Sequence, residues 1–350
     1  MIFTTEPITA ASSSNSKTSS PPPPSSPAAS ATSSAAPSSR TRPPHLTHFY
    51  SSSGGNAGLA CATAAHALGR PATVVVPVTT KPLMVAKIRN AGATDVVQTG
   101  ASWAEADAYL REELLGKDRN GVYVPPFDHE DVWDGAATIV EELEEKPDAV
   151  VCSVGGGGLF CGVMRGLERR GWGDVKVLAL ETRGAESLHK SLVKGELVRL
   201  EKITSICTSL GATRVGEKTF EYGQRKSVRS VVLEDREAVM GCWRLADDER
   251  LLVEPACGVN VALCYDGRLK KLLPELTAES KIVVVVCGGA AVTLELLMEW
   301  RERFGLMEGE TTKDKEVPST VATNGHNQMS DGGSAVKMLE LLVQRKYHFI

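Results

Sequence analysis

The sequence predicts an α/β protein in which parallel sheets are flanked by helices. Three observations carry this. Val-rich runs such as Ile282–Val286 (IVVVV) lack the apolar–polar alternation of a half-exposed strand, so they read as strands covered on both faces. They alternate along the chain with amphipathic stretches of helical length. At two places, Ser51–Gly58 and Ser153–Leu159, a glycine-rich loop joins the end of a strand to the start of a helix.

In order, the first 44 residues are Ser-, Pro- and Ala-rich, with a proline run at Pro21–Pro24. Such a segment buries too little apolar surface to offset its ordering entropy, so disorder is expected. A transit peptide would be arginine-rich, and here the first arginine is Arg40. Strands are expected at His48–Ser52, Thr73–Val76, Asp95–Gln98, Ala149–Ser153, Lys176–Leu180, Ser227–Leu233 and Ile282–Val286. Helices are expected at Ala57–Leu68, Lys81–Ala91, Trp103–Leu115, Asp131–Glu144, Leu159–Arg169, Arg236–Asp247, Cys257–Leu272 and Val292–Phe304. A chain of 350 residues exceeds the usual single-domain size. The pattern divides into a smaller domain over 45–135 and a larger one over 136–306. A polar, breaker-rich linker is expected over 307–334, then a short terminal helix over 335–350 along Val336, Leu339, Leu342 and Val343.

A formal net charge of −4 gives no electrostatic case for nucleic acid or an anionic membrane. No apolar run reaches the roughly eighteen residues of a membrane span. The eight cysteines form no CxxC and mostly lie among Ala, Val, Leu and Gly. They read as reduced, buried thiols, and the expected setting is cytoplasmic.

The chemistry concentrates in the two loops. In Ser51-Ser52-Ser53-Gly54-Gly55-Asn56-Ala57-Gly58, glycines allow close backbone approach and the following helix start presents unpaired N–H groups to an anion. A plain strand-to-helix turn would need only one or two of those glycines. In Ser153-Val154-Gly155-Gly156-Gly157-Gly158-Leu159, four successive glycines can wrap amides around an oxyanion such as a phosphate. A dinucleotide fingerprint competes, with Glu181 about 24 residues on as a ribose acid. Its register fails: Gly155-x-Gly157 is followed by Phe160, and Gly156-x-Gly158 by Cys161. Two anion loops in one chain instead suggest a phosphate at one and a carboxylate at the other.

That pair resembles the fold-type-II pyridoxal-phosphate enzymes, and within them the serine/threonine dehydratases. The first loop is similar to their substrate-carboxylate loop, and Gly155–Gly158 to their tetraglycine phosphate cup. Further blocks resemble the dehydratase branch: Ala179-Leu180-Glu181-Thr182, Ser205–Gly211 (SICTSLG), Glu254-Pro255-Ala256-Cys257-Gly258 and Val286-Cys287-Gly288-Gly289. The resemblance runs from about His48 to Leu306 and implies a two-domain, tryptophan-synthase-β-like architecture. It implies pyridoxal 5'-phosphate as cofactor and an amino acid as substrate. The implied reaction is deamination of L-serine by β-elimination, with L-threonine left open, in a homodimer.

It also implies site residues. Asn56 would meet the cofactor's ring hydroxyl. Ser53, Gly54, Gly55 and Ala57 would hold the substrate carboxylate. Gly155, Gly156, Gly157, Gly158 and Leu159 would bind the phosphate through backbone amides, and Cys287 would face the pyridine nitrogen. Glu181, with main-chain oxygens of Ala185 and Leu210, would hold a monovalent cation such as potassium. His66, His129 and His189 match no catalytic position and are expected on surfaces or helix faces.

One part of the family pattern is missing. The resemblance calls for a Schiff-base lysine in a Ser-x-Phe-Lys-like segment before the first loop. The only lysine before Ser53 is Lys17, in Asn15-Ser16-Lys17-Thr18, with no phenylalanine before it and prolines soon after. The role is therefore not transferred to Lys17. Two explanations stay open: a mis-called start, or a truncated, catalytically silent relative that retains the pocket. Another type-II enzyme, such as a threonine synthase, is a further alternative. The four-glycine loop and Cys287 argue against it.

Overall fold

The computed structural model describes residues 47–305, together with the backbone of strands at 2–4 and 340–343. The described residues form two sheets. Strand β1 (Ile2–Thr4) leads, and the next elements build the smaller sheet: β2 (His48–Ser51), α1 (Asn56–Ala67), β3 (Ala72–Val76), α2 (Pro82–Asn90), β4 (Asp95–Gln98), α3 (Trp103–Tyr109) and β5 (Gly121–Tyr123). Its order is β4-β3-β2-β5, parallel throughout. β3, ATVVV, is buried at every position, as expected of a strand with helices on both sides.

The larger sheet is built from α4 (Glu130–Glu141), β6 (Ala149–Ser153), α5 (Gly158–Arg169), β7 (Lys176–Thr182), α6 (Ser187–Lys194), α7 (Glu217–Gly223), β8 (Val228–Leu233), α8 (Asp235–Glu249), α9 (Pro255–Val261), α10 (Arg268–Leu272), β9 (Ile282–Val286), α11 (Leu294–Phe304) and β10 (Glu340–Val343). Its order is β1-β10-β9-β6-β7-β8, with only β1 antiparallel. The core lies on both faces of this sheet. Leu178, Leu180, Ile282, Val284 and Val286 pack on one side, and Val150, Cys152, Val177, Val283 and Val285 on the other. The parallel sheets flanked by helices are those of the fold class expected.

Several expectations need correction. Glu340–Val343 is a strand paired with β9, where a terminal helix over 335–350 was expected. Its apolar residues suit a strand as well as a short helix, and pairing with a buried neighbour decides between them. Ile2–Thr4 is likewise a strand, inside the segment expected to be disordered. The rest of that segment, the linker over 307–334 and Lys17 lie outside the described residues. The single helix expected over Cys257–Leu272 is broken at Asp266 and Gly267, whose φ values are 58° and 65°. β5, α6 and α7 were not expected at all.

Candidate active site

Both glycine loops leave the C-terminal end of a parallel strand, where the ends of neighbouring strands and the starts of their helices converge. After β2 come Ser53, Gly54 and Gly55, and Asn56 and Ala57 open α1. The loop is wound so closely that a Cβ on Gly58 would stand 1.9 Å from the Ser53 carbonyl oxygen. Ser53 Oγ accepts from the Gly55 N–H at 3.2 Å. Beneath it, buried Asp107 takes three donors: Ser52 Oγ at 2.6 Å, Tyr123 Oη at 2.7 Å and Arg111 Nε at 2.7 Å. These charge-assisted bonds hold the loop's stem to α3 and β5.

After β6, Gly155–Gly158 turn into α5. No position in this loop has room for a side chain. A Cβ on Gly155 would meet Ser209 O at 3.0 Å, one on Gly156 the Phe127 ring at 2.2 Å, and one on Gly158 Phe127 O at 2.9 Å. Gly157 has φ 106° and lies against Thr219 Oγ1. Among the described residues, no protein acceptor meets the N–H of Gly155, Gly156, Gly157, Gly158 or Leu159. Five successive unpaired amides at a helix start make an anion cradle.

Ser209 joins the two loops. Its backbone and that of Leu210 pack on Gly155, and its Oγ accepts from Asn56 Nδ2 at 3.3 Å. Asn56 Nδ2 also donates to Glu254 Oε1 at 2.8 Å, and Asn56 Oδ1 accepts from the Ala290 N–H at 2.9 Å. Cys287 follows β9 immediately and is partly buried. Burial, then the neighbouring Cys257, Cys152 and Glu254, pushes its thiol well above the usual range. Gly288 ties the segment to the start of α9 by accepting from the Glu254 N–H at 2.9 Å.

Glu181, near the end of β7, is fully buried and accepts from the N–H groups of Leu188 (2.8 Å) and His189 (2.7 Å), capping α6. Burial pushes its carboxyl up to about 8, with the two N–H bonds opposing. Ala185 and Leu210 are buried in one core cluster. Ser187 Oγ, at the first position of α6, is buried without a hydrogen-bond partner. His189 is buried, not surface-facing, and bonds Ser230 Oγ at 3.0 Å.

Comparison with known proteins follows the same outline. Residues 34–288 match the family model described as pyridoxal-phosphate dependent enzyme. The chain belongs to the pyridoxal-phosphate dependent enzymes. Within them, it is 46% identical over 263 residues to an L-serine dehydratase of Saccharomyces cerevisiae, covering 70% of this chain and 78% of that protein. It is 45% identical over 267 residues to a human L-serine dehydratase/L-threonine deaminase, covering 74% of this chain and 80% of the relative. The crystal structure of a fungal L-serine ammonia-lyase from Rhizomucor miehei aligns with a TM-score of 0.70 and 36% identity, over 76% of this chain and 85% of that one.

The residues present fit the family's cofactor. The five unpaired amides suit a phosphate, and Ser209, Phe127 and Thr219 pack on the glycines so closely that no side chain could stand in the loop. Two described lysines border the site. Lys81 lines a recess with Ser209 and Glu254, and Lys87 Nζ donates to the Ala290 carbonyl. Glu254, Ser209, Phe127, Thr219 and Ser187 were not singled out from sequence. Only Glu254 and Ser209 fall in blocks that resemble the family, and nothing local to them signals a contact with Asn56.

Proposed function

We propose that this site serves pyridoxal-phosphate-dependent β-elimination of L-serine, with L-threonine as a second substrate. The products are pyruvate or 2-oxobutanoate and ammonia. The α-proton and β-hydroxyl leave as water, and hydrolysis of the carbon–nitrogen bond completes the deamination. The observation that carries this is the unpaired amide run at Gly155–Leu159, joined through Ser209 to the Ser53–Asn56 loop. Bound pyridoxal phosphate supplies an electron sink for charge developing at the substrate α-carbon.

The chain's own residues do the rest. Gly155 through Leu159 would hold the phosphate, and Ser53, Gly54, Gly55 and Ala57 would hold the substrate carboxylate. Asn56 would meet the ring oxygen. Cys287, whose thiol burial keeps neutral, would face the ring nitrogen, which would limit the ring's electron withdrawal and favour elimination over longer-lived carbanion chemistry. Glu181, the orphan Ser187 hydroxyl and main-chain oxygens of Ala185 and Leu210 offer hard oxygen donors, and we assign them to a monovalent cation such as potassium. The domains we assign are 45–135 and 136–306, with the site between them, in a cytoplasmic homodimer. None of the described helices is long and apolar enough to cross a membrane.

A second reading is favoured by one observation. The sequence shows no Ser-x-Phe-Lys-like segment before Ser53, and a pocket lacking such a lysine would hold the cofactor without turning serine over. One experiment separates the two. The protein is loaded with pyridoxal phosphate, treated with borohydride and mapped by mass spectrometry, while pyruvate is assayed from L-serine. A lysyl adduct with pyruvate supports the eliminating enzyme. Binding displaced by inorganic phosphate, with neither adduct nor pyruvate, supports the silent pocket. No cofactor binding at all overturns both.

A further inference from the structure

Asn56 is the side chain on which the ring-oxygen contact depends, and a side-chain amide can be turned two ways. With its oxygen outward it accepts from a ring hydroxyl; with its nitrogen outward it donates to the ring oxygen. Its partners here settle the orientation by chemistry. A backbone N–H can only donate, so the Asn56 atom facing the Ala290 N–H, at 2.9 Å, must be Oδ1. With Oδ1 fixed there, the other amide atom, which faces Glu254 Oε1 at 2.8 Å, is Nδ2, and it donates to a lone pair of the carboxyl oxygen. Glu254 is itself held. It is buried at the start of α9, its Oε2 accepts from the Ala291 N–H at 3.2 Å, and its backbone N–H donates to Gly288 O at 2.9 Å. A Cβ on Gly289 would stand 2.1 Å from the carboxyl carbon, so the loop after β9 closes directly over the acid.

One Nδ2 hydrogen is thus committed to a buried carboxylate. The other makes a longer 3.3 Å bond to Ser209 Oγ, a hydroxyl that can turn to other partners. That second hydrogen is the one left for a ligand. We propose that Glu254 is a positioning residue that locks the Asn56 amide as a hydrogen-bond donor toward the cofactor's ring oxygen. This rests on the cofactor reading above. It also accounts for a buried acid in a site whose reaction assigns it no proton transfer. Glu254 and Asn56 are 198 residues apart, so the lock closes only when the two sheets come together.

The test is a double-mutant cycle on cofactor affinity, read by fluorescence titration of the full chain with pyridoxal 5'-phosphate. Glu254→Gln should weaken binding about ten-fold, the scale of one lost hydrogen bond. In an Asn56→Ala background it should have no further effect, because the residue it acts through is gone. An equal loss in both backgrounds means Glu254 merely supports the fold, and no loss in either means it does nothing for the cofactor. Either result overturns the proposal.

If Glu254→Gln alone does not fold, the exchanged pair Asn56→Asp with Glu254→Gln keeps the question open to measurement. It rebuilds the hydrogen bond with donor and acceptor reversed. Restored melting temperature with affinity still lowered at least ten-fold supports a donor role for Asn56. Wild-type affinity in the exchanged pair overturns it. Failure of the unaltered chain to bind pyridoxal phosphate is a separate outcome, which overturns the cofactor reading and this proposal with it.

Discussion

Gly157 shows how closely single residues set this site. Its φ of 106° is a backbone conformation an L side chain adopts at a cost of roughly 1–3 kcal/mol, and a Cβ there would stand 1.8 Å from Thr219 Oγ1. Gly157→Ala should therefore lower the melting temperature by several degrees and weaken pyridoxal-phosphate binding at least ten-fold, since the loop must shift its amides. Calorimetry and cofactor titration would show it. Cys287 gives a second check. Burial first, then Cys257, Cys152 and Glu254, raise its thiol above the usual range, so it stays protonated at pH 8. Iodoacetamide should label it at least ten-fold more slowly in the folded chain than after unfolding, by peptide mass spectrometry. Both loops were legible in the sequence because backbone amides and glycines signal themselves locally. Phe127, Thr219 and Glu254 were not. Their importance lies in contacts with residues about 30, 60 and 200 positions away, which no local pattern carries.

At the level of elements, the strands came through best, since continuous runs such as AVVCS and IVVVV leave few alternatives. β5 (GVY) was too short to show a period, and α7 is a seven-residue helix whose buried residues are only Thr219, Tyr222 and Gly223. α6 was missed for a more instructive reason. Its start lacks a capping side chain of its own, because the cap arrives from β7: Glu181 accepts from Leu188 and His189. A buried carboxylate with two N–H donors, and a buried orphan hydroxyl on Ser187 just before them, make a place a cation would stabilise. Replacing choline chloride by potassium chloride at constant ionic strength should raise the melting temperature by several degrees. Glu181→Gln should lower it in choline and abolish the potassium increment. An equal increment in wild type and variant would leave Glu181 as a helix cap alone.

The described residues form two sheets, parallel but for β1, and the proposed site lies where they meet. The loop after β9 is the joint. From the smaller sheet's side, Asn56 accepts from the Ala290 N–H, Lys87 Nζ donates to the Ala290 carbonyl, and the Ala290 methyl packs on the cluster of Leu59, Val74, Val76 and Ile88. From the larger sheet's side, Glu254 accepts from Ala291 and donates its N–H to Gly288. If the cofactor binds as proposed, its affinity should depend on residues that never touch it. Lys87→Met keeps the apolar stem on its helix and removes one charge-assisted bond across the joint, worth about 1–2 kcal/mol. The two sheets retain their own cores, so each should stay folded while the joint opens more often. The expected result is a five- to twenty-fold rise in the dissociation constant for pyridoxal phosphate with little change in the circular dichroism spectrum. Hydrogen exchange should rise at the backbone amides of Ala290 and Ala291, and cofactor at saturation should restore most of their protection. Unchanged affinity with unchanged exchange at those two amides would mean that Asn56 and Glu254 hold the joint without Lys87.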